Sequence, residues 1–227
     1  MDKNIENLKN DEKLNDDEIN TSGFDAINKT FDKIYPNQKE PLHYRPIISY
    51  QLGGQDPLDG ISVYIGEGYY HFVTYGFSEL YKKESDNKEY SGFGFELTFK
   101  LKMNDNQINN NKNDDAQNDE IKTVIGFLQQ LARYVFESGA IFNPYEYIWT
   151  KQKEGIDAKQ KSKITGFITL PDEAGEIDTH NGKVIFVALL GVTDRELNAI
   201  YEKKITVREL AQKIGTDITD YNRESFI

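Results

Sequence analysis

The 227-residue chain has no cysteine, which excludes disulfides and thiolate metal sites and gives no sign of an oxidising compartment. It has three histidines, His43, His71 and His180, too few and too scattered for a dedicated metal cage. Its longest apolar run, Val184 to Leu190, is too short to span a bilayer, and the first residues, Met1 to Glu6, lack the apolar core of a signal peptide. Cytoplasmic residence is therefore expected. Positive charge is also scarce. Lys and Arg total 27 against 38 Asp and Glu, leaving a net charge of −11. No basic cluster is interleaved with aromatics, so nucleic acid is a poor partner. A basic protein surface fits better, because complementary charge speeds encounter, although acidity alone also serves solubility.

Aromatic residues are plentiful: 14 Tyr and 13 Phe in a chain that is only 37% hydrophobic. A core can form if the polar residues are segregated, and much of the polar excess sits in residues 1–22 and 103–119. The first stretch reads as a disordered acidic tail and the second as a flexible Asn/Asp-rich loop. Neither has periodic apolar positions, so both are expected to be dispensable for folding. They leave one domain over 23–227.

Within it, Ser22 is a helix N-cap candidate. Phe24, Ile27, Phe31 and Ile34 follow at helical spacing, and Pro36 stops the helix. Arg45–Leu52 reads as a strand, followed by turn chemistry over Asp56–Gly60. Ile61–Ile65 and Tyr69–Tyr75 form a hairpin across Gly66-Glu67-Gly68. Phe93, Phe95, Leu97, Phe99 and Leu101 alternate with Gly94, Glu96, Thr98 and Lys100, the pattern of a strand with one buried face. Glu120–Ser138 is a helix with an apolar stripe and Gly139 as its stop. Strands are expected over Tyr145–Thr150, Ile164–Leu170 and Val184–Leu190. Thr193 with Glu196, and Thr206 with Glu209, are capping boxes opening two short helices. The sum is an α+β domain, with a largely antiparallel sheet flanked by helices.

Catalytic signatures are absent. There is no His-Glu-x-x-His, Gly-x-Ser-x-Gly or Walker loop, and the two Gly-x-Gly fragments lack a third glycine and a following helix. His71, flanked by Tyr70 and Phe72, pairs with Glu79 or Asp86 in a small-hydrolase reading; the blander alternative is a histidine satisfied within a sheet. Asp56 and Asp59 read as servants of the turn around Pro57. The expectation is a chain with no catalytic residue, metal or cofactor. In the long helix, Phe127 and Tyr134 are seven apart, on a flank roughly 100° from the centre of the apolar stripe. This aromatic shoulder is either a second buried face or a ridge for a partner, a role that tyrosine's apolar ring and polar tip suit.

Several stretches together resemble the suppressor of fused family. They are Tyr35-Pro36-Asn37-Gln38, Leu52-Gly53-Gly54-Gln55-Asp56-Pro57-Leu58-Asp59-Gly60 and Tyr75-Gly76-Phe77-Ser78-Glu79-Leu80-Tyr81, then Ser91 to Phe99, Leu131-Ala132-Arg133-Tyr134-Val135-Phe136 and Leu189 to Leu197. The resemblance implies a non-catalytic, suppressor-of-fused-like binding domain, equivalent to the N-terminal of two. In animals the family member restrains Gli-type transcription factors by clamping an extended peptide between its two domains. The Asn- and Lys-rich loops look bacterial, and bacterial relatives are associated with toxin systems. That implies an immunity protein, which binds and neutralises a toxin by occlusion; an adaptor for a peptide strand is the alternative. Carried over residue by residue, the partner-binding face contains Tyr134 and, in a following segment, Glu146; Phe127 joins them from helical geometry.

Overall fold

The computed structural model describes residues 20–104 and 115–227. The predicted tail lies outside the described residues up to position 19, and so do residues 105–114 of the predicted loop. The elements are α1 (Ser22–Ile34), β1 (Leu42–Tyr44), a 3-10 turn (Tyr50–Leu52), β2 (Gly60–Ile65), β3 (Tyr69–Tyr75), β4 (Tyr90–Lys102), α2 (Asp115–Ser138), β5 (Tyr147–Ile148), β6 (Ile164–Thr179), β7 (Gly182–Thr193), α3 (Asp194–Tyr201), α4 (Val207–Ile214) and β8 (Ile218–Thr219).

The strands form one sheet in the order β1-β2-β3-β4-β7-β6-β5, with β8 against the end of β4. All pairings are antiparallel except β4 with β7 and β4 with β8. The fold is thus α+β and mostly antiparallel. Gly191 is required where β8 docks, since a Cβ there would lie 2.7 Å from Thr219 Cγ2, and its N–H donates to Thr219 Oγ1.

Each face of the sheet carries helices. On one, Phe95, Leu97, Phe99, Phe167 and Leu189 meet the stripe of α2, including Val124, Leu128 and Val135. On the other, α1 places Ile27 and Phe31 over Tyr64, Tyr75 and Phe186, while α3 and α4 cover Ile168, Leu190 and Val192. Both predicted capping boxes are formed, and Gly215 closes α4 at φ 73°.

Three local expectations change. Arg45–Leu52 is no strand: β1 precedes it, and its pairing with β2 stops at Tyr44 opposite Ile61, near the start of β2. Arg45, which would face Gly60, is not paired, and Pro46 after it has no N–H to offer. The alternation in β4 does not mean one wet face, for Glu96, Thr98 and Lys100 are buried too. Partners distant in sequence satisfy them. The long helix begins at Asp115, so the last residues of the predicted loop are helical, and Met103 is buried.

Candidate protein-interaction surface

One constellation among the described residues looks catalytic, and it is buried. His71 and Asp172 are both fully buried, with Nε2 3.4 Å from Asp172 Oδ2, at ion-pair distance but outside hydrogen-bond geometry. His71 Nδ1 is 2.8 Å from the Tyr35 hydroxyl at the end of α1. Asp172 also accepts from Thr98 Oγ1 at 2.7 Å and the Ala174 N–H at 2.8 Å. Burial pushes its carboxyl up, but His71 and these donors outweigh burial and hold it below the ordinary range. Beside them Lys100 Nζ donates to Glu173 at 2.7 Å and Asp217 at 2.8 Å. This network ties α1, β3, β4, β6 and the segment before β8 together. It satisfies most of the buried polar groups that it joins, and the His71 and Asp172 side chains are closed to solvent.

The predicted pairing of His71 with Glu79 or Asp86 is therefore overturned. Glu79 is engaged in its own loop, accepting from the N–H groups of Glu84, Ser85 and Gly92 and pairing with Lys83 at 2.9 Å. The true partner, Asp172, stands far along the chain on β6, where no spacing rule links it to His71.

Around α2 the residues of Leu131–Phe136 divide their work. Arg133 Nη1 reaches Asp56 Oδ1 at 2.5 Å, and Gln129 Oε1 accepts the Leu58 N–H at 3.2 Å. Together they fasten the 52–60 turn to the helix, so Asp56 does more than shape its turn. Phe136 meets Tyr50 edge-on at 5.5 Å and Phe93 at 5.1 Å. Tyr134 points away from both.

Tyr134 is 55% exposed, yet its ring stacks on Phe142 at 6.3 Å and 17° between planes. Phe142 is buried; the next residue, Asn143, donates its backbone N–H (3.0 Å) and Nδ2 (3.2 Å) to the exposed carboxylate of Glu146. Immediately afterwards comes β5, the last strand of the sheet, with Tyr147 exposed; Ile141 is exposed on the approach. Tyr134 and the Glu146 turn thus belong to one surface, joined through Phe142–Asn143. Phe127 differs from expectation. Its ring is half-buried against Phe99 at 5.1 Å and Phe167 at 5.0 Å, on the flank of α2 that these two rings reach. It supports the surface from below.

The suppressor of fused protein family profile matches residues 54–224. The chain belongs to the suppressor of fused family. Suppressor of fused homologues of Homo sapiens and Mus musculus are each 29% identical to it over 194 residues, covering 78% of this chain and 37% of theirs. The chain thus spans little more than a third of the length of those relatives. Among solved structures, a Sufu–Fu complex matches with TM-score 0.76 and 29% identity, covering 90% of this chain and 92% of that one. Drosophila Suppressor of Fused matches with TM-score 0.77 and 28% identity, covering 91% of this chain and 51% of that one. No helix among the described residues is long and apolar enough to cross a membrane.

Proposed function

We propose that this suppressor-of-fused domain is a non-catalytic protein-binding module that grips its partner along the edge formed by Tyr134, Glu146 and β5. The observation that carries this reading is the exposed but stacked ring of Tyr134 beside the acidic turn at the sheet edge. A ring held on Phe142 loses little freedom on binding, so its apolar area is available as an anchor. An edge strand has unpaired backbone groups that an extended segment can complete. The acidic turn and the net charge of −11 favour a basic partner. Covering that partner by occlusion is the mode of action, and a toxin domain neutralised this way is the biological setting proposed. The solved Sufu–Fu complex supports the general reading, since that relative is captured with a protein partner.

The test is affinity capture with the full chain as bait, repeated with Tyr134→Ala. The expected result is one stoichiometric basic partner, lost with the variant, whose toxic activity is blocked by the wild-type chain. A partner retained equally by a folded Tyr134→Ala protein would refute this face as the binding site. A bound partner with no toxic activity would refute neutralisation and leave adaptor binding.

A further inference from the structure

On the opposite side of α2 from Tyr134 lies an open groove of about 1210 Å³. Tyr50, Phe77, Phe93 and Phe136 supply aromatic walls, and Pro57 and Tyr81 continue them. The loop that was expected to be a strand forms one rim and turns Ile47, Ile48 and Leu52 out to solvent, Ile47 completely. Exposed aliphatic residues clustered on one loop beside a concave aromatic surface are the signature of a contact site.

The groove also has a charge problem of a specific kind. Two of its acids are committed: Glu79 to Lys83 and its own loop, Glu84 to Lys82 at 3.0 Å. Asp59 is not. It is half-buried, and among the described residues neither a hydrogen bond nor an ion pair reaches its carboxylate. Burial accordingly pushes its carboxyl up, opposed only through space by Arg45, whose exposed guanidinium sits 5.7 Å over the Phe24 ring. A partly desolvated carboxylate among aromatic rings is best satisfied by a cation that also stacks on those rings, as a Lys or Arg side chain does.

We propose that this groove is a second binding site, taking an extended partner segment in which a Lys or Arg side chain reaches Asp59 while apolar neighbours cover Ile47, Ile48 and Leu52. It rests on the preceding reading only in the premise that the chain binds protein; the two faces share no residue. The occupant follows from charge complementarity and from the apolar rim, which a purely polar cationic segment would leave uncovered.

The test uses the full chain and a fluorescein-labelled peptide alternating lysine with leucine, followed by anisotropy. Comparison peptides replace lysine by norleucine or leucine by serine. The protein variants are Asp59→Asn, Ile47→Ser, Tyr134→Ala and Asp178→Asn, the last removing an equal charge from the exposed β6–β7 hairpin. Circular dichroism confirms that each is folded. Expected is saturable binding that Asp59→Asn weakens by about tenfold or more, that Ile47→Ser also weakens, and that Asp178→Asn and Tyr134→Ala change less than about twofold. Equal effects of Asp59→Asn and Asp178→Asn would reduce the binding to net charge and overturn the proposal. So would equal affinity for the norleucine peptide, or no saturable binding below about 1 mM. Self-association of the chain that Ile47→Ser dissolves would assign the rim to a second copy and overturn it as well. Loss of binding on Tyr134→Ala alone would place the peptide on the other face, so failure here and failure of the proposed function are distinguishable.

Discussion

The ring of Tyr134 lies nearly parallel to that of Phe142, 6.3 Å away, although more than half of Tyr134 is exposed. The residue that helical geometry placed outside the core stripe is thus held in one orientation without being buried. Tyr134→Ala should lower partner affinity by on the order of 1–3 kcal/mol and barely move the melting temperature. Calorimetric binding and thermal unfolding of one sample check both halves. A melting temperature lowered as by a core deletion, with normal binding by the folded fraction, would show that the stack serves stability alone.

Glu146 stands at the same edge and accepts two hydrogen bonds from Asn143. Glu146→Gln keeps an acceptor for that turn and removes the charge. It should slow association with a basic partner, more at low than at high ionic strength, and leave dissociation nearly unchanged. Stopped-flow kinetics at two salt concentrations resolve this.

His71→Ala should fail in stability rather than in chemistry. Removing the ring leaves the buried Asp172 without its ion-pair neighbour and Tyr35 without its hydroxyl partner. A loss of about 3–5 kcal/mol is expected in urea unfolding. At a temperature where the variant is folded, the proposed neutralisation of a partner should be intact. A folded, partner-bound variant that no longer protects would mean that His71 takes part in a reaction.

Glu96 makes stability pH-dependent near neutrality. Complete burial raises its carboxyl, and although Thr74 Oγ1, Ser78 Oγ and the N–H groups of Ser78 and Gly76 donate to it, it remains pushed up to about 7. Between its ordinary value of 4.5 and about 7 the folded state holds the proton more tightly than the unfolded chain does. This contribution is therefore full at low pH and is lost as pH rises through that window. Its size is about 3 kcal/mol. His43, which burial lowers, works in the opposite sense at the acid end. Comparison with Glu96→Gln isolates the effect: wild type should lose melting temperature from pH 5.5 to 8 relative to the variant. Parallel curves would refute it.

The C-terminal segment is pinned by Glu196, fully buried, which accepts from Arg223 Nη2 at 2.7 Å and Nη1 at 2.8 Å, and from the Phe226 N–H at 2.9 Å. Burial pushes the Glu196 carboxyl up, but Arg223 and the backbone donors outweigh it and hold it below the ordinary range. Its contribution is present above that range and lost as pH falls through the lowered value. Arg223→Ala should cost about 3–5 kcal/mol by stranding the buried carboxylate, and should speed amide exchange in α3. Exchange rates equal to wild type would show the pair to be dispensable.

Sequence by itself determined what depends on near neighbours. The capping boxes at Thr193 and Thr206, the hairpin over Ile61–Tyr75, the stripe of α2 and the place of Tyr134 on its flank all follow from spacings of a few residues, where hydrogen-bond reach and periodicity act; that Tyr134 is exposed there was decided by the packing around it. The family was legible too, because its motifs preserve those local patterns in order. Tertiary structure alone decided what depends on topology. It gave His71 its partner Asp172, supplied the polar side of β4 with partners as far away as Asp172 and Asp217, linked Asp56 to Arg133, and packed Phe127 half-buried against Phe99 and Phe167. It also left Arg45–Leu52 without a strand to pair, which is why Ile47 and Leu52 face solvent beside Asp59. A strand's partner and a buried charge's counter-ion are chosen by which distant segments the sheet order brings within hydrogen-bond distance, and no local pattern encodes that distance.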